Sequence, residues 1–103
     1  MAIRIEQGFR YEGDDYWDWW VWIEGSPQEL DEIERVVYIL HPTFPSPVRE
    51  VKDRLSKFRL ETAGWGVFLI RATVIHKDGR ETPLQHYLTL EYPGTAPTRG
   101  GRG

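Results

Sequence analysis

Three histidines, His41, His76 and His86, are the only side chains that ordinarily titrate near neutral pH, and zero cysteines remove thiol nucleophiles, disulfides and Cys-bearing zinc sites. None of the three stands at the spacing of a metal cage or a nucleophile elbow, and no phosphate loop occurs. His41 is the best-placed general base, His76 reads as a solvated strand end, and Asp14 and Asp15 read as loop solubility. No catalytic residue, metal or cofactor is expected. The chemistry on offer is aromatic instead. Phe44 lies between Thr43 and Pro45, and Trp65 between Gly64 and Gly66, so each ring sits at a turn whose backbone shape is set by its neighbours.

Two readings of this pair stay open. The rings could fold back and plug the open end of the fold, as large rings commonly do. Alternatively they could form opposing walls of a slot for a flat or chain-like ligand, with His41, Thr43 and turn amides supplying hydrogen bonds. The first makes the chain a scaffolding or docking domain without a small ligand; a carbohydrate platform is a third reading. The separation of the two rings discriminates, because direct contact favours the plug and an open gap favours the slot.

Positioning such turns requires strands. Ile3, Ile5, Gln7, Phe9 and Tyr11 alternate with polar residues and glycine, the period-2 pattern of a half-buried strand. YWDWWVWIEG follows, with Trp17, Trp19, Val21 and Ile23 on one face and Trp20 and Trp22 on the other. Trp19 and Trp20 read as core packing. Ser26, Pro27 and Glu29 are an N-cap, an N1 proline and a capping-box glutamate, which predicts about one helical turn. Four β-branched residues make Ile33–Leu40 a strand, and Pro42, Pro45 and Pro47 make HPTFPSP a stiffened loop. Val48–Asp53 is expected to pair weakly. Phe58, Leu60 and Thr62 alternate as a strand ending at a tight AGWG turn with at least one positive φ. Val67–His76 and Glu81–Tyr92 are expected to pair antiparallel across a two-residue Asp-Gly hairpin. Six or seven short strands without a long helix predict an all-β fold, an immunoglobulin-like antiparallel β-sandwich.

The 103 residues at 12.1 kDa fit one domain, taken as 1–92, while 93–103 are too poor in apolar surface to order and read as a flexible tail or linker to further domains. A net charge of −3 argues against direct nucleic-acid binding. Residues 1–34 carry ten acidic and two basic side chains, so the charge is uneven along the chain. Neither a membrane-spanning run nor a signal-peptide core is present, giving an intracellular, cytoplasmic expectation.

LHPTFPSPVR (40–49), FRLETAGWGVF (58–68) and TPLQHYLTL (82–90) resemble, in order and spacing, three signature stretches of the YEATS domain family. WVWIEG and VVYILH fit the same pattern. The short chain and unusual first loop suggest a prokaryotic YEATS-type domain. The resemblance implies an immunoglobulin-fold reader of acylated lysine, acetyl or crotonyl, with an acylated-lysine peptide or protein as partner. It makes Phe44 and Trp65 the aromatic walls, with His41 and Thr43 lining the slot. The Trp65 backbone amide, beside Gly64 and Gly66, would receive the acyl carbonyl. His86 matches a structural strand histidine. Val67 stands where nuclear members usually carry Glu, and the first loop holds Asp15, Tyr16, Trp17 and Asp18, so Tyr16 is the candidate third wall.

Overall fold

Alternation and β-branching resolve, in a computed structural model that describes residues 3–93, into seven strands among the described residues. They are β1 (Arg4–Gly13), β2 (Tyr16–Glu24), β3 (Ile33–Ile39), β4 (Val48–Val51), β5 (Leu60–Gly64), β6 (Leu69–His76) and β7 (Glu81–Tyr87). One antiparallel sheet runs β1-β2-β5 and the other β4-β3-β6-β7, so the fold is the all-β sandwich expected. The tail from residue 94 onward lies outside the described residues.

The parity of β2 decides the packing. Trp19, Val21 and Ile23 turn inward and meet Val36 and Tyr38 of β3, and Ile70, Ala72 and Val74 of β6, in a fully enclosed core. Trp20 faces out but is still covered: it lies opposite Gly8 on β1, and the Arg59 guanidinium sits 4.9 Å from its ring. The chain passes between sheets through α1 (Pro27–Asp31), closed by the full Ser26–Glu29 capping box.

Four local expectations are corrected. The strand does not begin at Phe58: Lys57 and Phe58 are both left-handed (φ 60° and 59°), and Phe58 turns into the core, where its carbonyl accepts the Tyr38 hydroxyl at 2.7 Å. Burial pushes the Tyr38 hydroxyl well above its usual pKa. The Asp-Gly hairpin loop holds three residues, Lys77–Gly79, with Gly79 at φ 92° and His76 N–H bonded to the Arg80 carbonyl, so only glycine takes the left-handed position. β6 starts at Leu69 and β7 stops at Tyr87, short of the expected Val67 and Tyr92. His76 is not solvated but 8% exposed, with Nε2 2.8 Å from the Thr82 hydroxyl and Nδ1 enclosed without a partner among the described residues.

Candidate functional site

Three loops meet at one end of the sandwich. The β1–β2 hairpin turns through three successive left-handed residues, Gly13, Asp14 and Asp15, with a bulge at Tyr11/Gly13, and delivers Tyr16 at 44% exposure. Proline alone does not set the β3–β4 loop. Leu40 N–H bonds the Pro47 carbonyl at 2.8 Å, Phe44 N–H bonds the His41 carbonyl at 3.0 Å, and the Arg49 guanidinium donates to the carbonyls of Ser46 and Pro45. The loop is therefore stiff before any ligand arrives. The third loop, Trp65–Phe68, leaves β5 at Gly64, and neither Gly64 nor Gly66 adopts a positive φ, contrary to expectation. Glycine serves here by lacking a side chain.

Between these loops lies a cleft of about 390 Å³, in the range of small-ligand sites. All seven residues singled out in the sequence, Tyr16, His41, Thr43, Phe44, Gly64, Trp65 and Gly66, line it. Pro45, Ala63, Val67 and Phe68 line it as well and had not been singled out. Phe68 could have been found by phase, since it shares parity with the inward residues Ile70 and Ala72.

The two aromatic walls differ. Trp65 is 75% exposed and makes neither a ring contact nor a side-chain hydrogen bond among the described residues. Phe44 is half-buried against the core, edge-on to Trp19 at 6.1 Å and tilted on Phe68 at 5.3 Å. Phe44 thus lines the cleft and partly packs on the core at once, and no ring contact joins it to Trp65 among the described residues. The Trp65 backbone N–H has no hydrogen-bond partner among the described residues.

His41 Nδ1 receives the Thr43 backbone N–H at 3.2 Å and lies 2.9 Å from the Thr43 hydroxyl. A backbone N–H only donates, so Nδ1 is the acceptor of that bond. The Thr43 hydroxyl oxygen, which lines the cleft beside this ring, can accept a ligand N–H. No group of three or more metal-ligating side chains occurs among the described residues. The arrangement offers two π faces, one free backbone donor and one hydroxyl acceptor. That set complements a planar, uncharged secondary amide on an apolar stem.

Residues 17–89 match the prokaryotic YEATS domain family. This chain is a prokaryotic YEATS domain. Curated relatives include transcription initiation factor TFIID subunit 14 of Schizosaccharomyces pombe, 35% identical over 69 residues, covering 66% of this chain and 28% of the relative. The protein AF-9 homolog of Saccharomyces cerevisiae is 36% identical over 76 residues, covering 70% and 32%. The YEATS domain here therefore spans about a third or less of the length of these relatives. The crystal structure of the Yaf9 YEATS domain bound to H3K27ac superposes with a TM-score of 0.70 at 25% identity, covering 88% of this chain and 75% of that one. The Yaf9 YEATS domain recognising an H3K122suc peptide matches at 0.63, also 25% identical, over 85% and 68%. These likenesses agree with the sandwich and with its signature stretches. No helix among the described residues is long and apolar enough to cross a membrane.

Proposed function

We propose that this YEATS domain is a non-enzymatic binding module for acylated lysine, held in the cleft between Phe44 and Trp65. The observation that carries the reading is the exposed Trp65 ring, which makes no ring contact among the described residues although it lines the same cleft as Phe44, together with a Trp65 backbone N–H that has no partner among those residues. A ring that plugged the fold would be buried. In this reading the acylated side chain enters between the two rings, its carbonyl accepts the Trp65 N–H, and its amide N–H donates to the Thr43 oxygen. The homologous Yaf9 domain bound to H3K27ac supports an acyl-peptide partner.

The slot selects against charge. An unmodified ammonium would lose its hydration between two rings with no carboxylate among the lining residues, whereas the neutral amide loses little. Stacking contributes about 0.5–1.5 kcal/mol per face and the hydrogen bond about 1 kcal/mol more, giving micromolar or weaker affinity for the side chain alone. Titration of acetyl-, crotonyl- and unmodified-lysine peptides, read by Trp fluorescence, tests this. Saturable binding of the acylated peptides and none of the unmodified one is expected. Silence from every acylated peptide at millimolar concentration would leave a docking domain in its place.

A further inference from the structure

The indole of Trp19 is fully buried, and its Nε1–H has no hydrogen-bond partner among the described residues. Buried N–H groups are nearly always paired, so an orphan beside a cleft requires a reason. Its place supplies one. On β2 Trp19 pairs with Thr62 and Trp17 with Gly64, so the vacant side-chain position of Gly64 shares the inward face with Trp19. A Cβ built at Gly64 would lie 3.6 Å from Phe44 Cζ and 3.8 Å from Trp19 Nε1. Gly64 and Phe44 both line the cleft, and Trp19, which does not itself line it, holds its N–H behind them, next to the space that the missing Gly64 side chain leaves. Phe44 and Phe68, which both line the cleft, pack edge-on against Trp19, so the surroundings of this donor are apolar.

We infer that Trp19 Nε1–H is a specificity-determining donor at the inner end of the acyl slot, and that the ligands it favours are acyl groups bearing a neutral hydrogen-bond acceptor on their far carbons, such as 3-hydroxybutyryl. This rests on the acyl-lysine reading and adds the acyl class to it. The Trp65 N–H and Thr43 hydroxyl are occupied by the amide at the mouth, so a second oxygen further along the acyl chain meets the orphan donor once the Phe44 ring edge shifts aside. A hydrocarbon end leaves that donor unpaired. A carboxylate end fits worse, because no Lys or Arg lines the cleft to pair with it.

The test compares peptides carrying butyryl-, (R)- and (S)-3-hydroxybutyryl-, and succinyl-lysine, by calorimetry and by the indole ¹H–¹⁵N resonance of Trp19. One enantiomer of the hydroxyacyl peptide is expected to bind about fivefold tighter than the butyryl peptide, the size of one net hydrogen bond. That peptide alone should move the Trp19 Nε1–H signal downfield. Trp19→Phe, which keeps an apolar ring but removes the donor, should bring the ratio to about one. The wild-type resonance shift decides the matter independently if that variant folds poorly. Equal or weaker binding of both hydroxyacyl enantiomers, an unmoved Trp19 resonance, or a preference for succinyl would overturn the inference while leaving the acyl-lysine reading intact. Failure of every acyl peptide, butyryl included, would remove both.

Discussion

Phe44 and Trp65 both line the cleft but differ in environment, and single substitutions should separate binding from packing. Trp65→Ala removes a ring that buries little on folding, so binding should be lost with a stability change below about 0.5 kcal/mol. Phe44→Ala also removes contacts to Trp19 and Phe68 and should cost about 2 kcal/mol as well as abolishing binding, short of the full penalty of a completely buried ring. Peptide titration beside urea unfolding reads both. Equal destabilisation by the two would mean that Trp65 packs in solution. Turn chemistry made these rings legible in the sequence, because proline and glycine neighbours mark where a ring cannot belong to a ladder. Their unequal burial was not legible, since it depends on Phe68 and Trp19 arriving from two other strands. His76 went unread for a similar reason: its partner Thr82 reaches it across a hairpin, and sequence position alone placed it at the wet end of a strand.

Strands were legible wherever one face alternates cleanly, as in β2, β3 and β6. Boundaries failed where backbone conformation is set by distant partners. Phe58 looks like strand by type, yet it is left-handed because Asp53 and Ile23 hold the preceding turn through backbone bonds. The Gly-Trp-Gly turn shows the converse: two glycines suggested a positive φ, whereas the need is for space. Gly8 makes the same point in the middle of β1. It lies opposite Trp20, and a Cβ there would fall 2.3 Å from the Trp20 indole nitrogen, far inside contact. Gly8→Ala should therefore expel the Trp20 ring, break its stacking under Arg59 and destabilise the domain by about 1–3 kcal/mol, despite alanine's ordinary tolerance in strands. A urea midpoint unchanged from wild type would show that the ring has room to turn. Gly64→Ala is the contrast, because its Cβ meets only ordinary contacts; the fold should survive while the inner cleft fills and acyl binding weakens.

Across the whole molecule, the two sheets are joined where β7 passes β1. The Gln7 amide donates to the Thr89 carbonyl at 2.7 Å, while its oxygen accepts Thr89 N–H at 3.0 Å and His86 Nε2–H at 2.6 Å. Burial lowers the His86 pKa below its ordinary 6.5, so the native state holds the ring neutral while the unfolded chain takes a proton more readily. Stability from this group is complete above about pH 6.5 and falls as pH drops from there toward the depressed native value. Urea midpoints at pH 7.5 and 5.5 should show that loss, and His86→Gln, which keeps a donor at the same reach but cannot titrate, should shrink it. An identical loss in the variant would assign the effect elsewhere. The seam was invisible in the sequence, since nothing in it links Gln7 to residues some eighty positions away.

The same seam continues past the end of β7. β7 pairing stops at Tyr87, yet the chain remains engaged: Leu88 is fully buried with its N–H on the Phe68 carbonyl, and Trp17 Nε1 donates to the Glu91 carbonyl at 2.9 Å. The Tyr92 ring then stacks edge-on against Tyr11 and Trp17 at 5.4 and 5.1 Å, and its hydroxyl donates to Asp15 in the hairpin that carries Tyr16. Trp17 is thus buried outside the main core, under a lid made by the last two engaged residues. Compared in urea with a chain ending at Pro93, one ending at Leu90 should lose about 2 kcal/mol: one indole hydrogen bond, two ring contacts and the newly wetted face of Trp17. Because the clasp grips the hairpin behind Tyr16, the shorter chain should also bind acyl peptide more weakly even where it remains folded. Should the Leu90 chain be as stable and bind as tightly as the Pro93 one, Glu91 and Tyr92 would belong to the tail, and the domain boundary would move inward to Leu90.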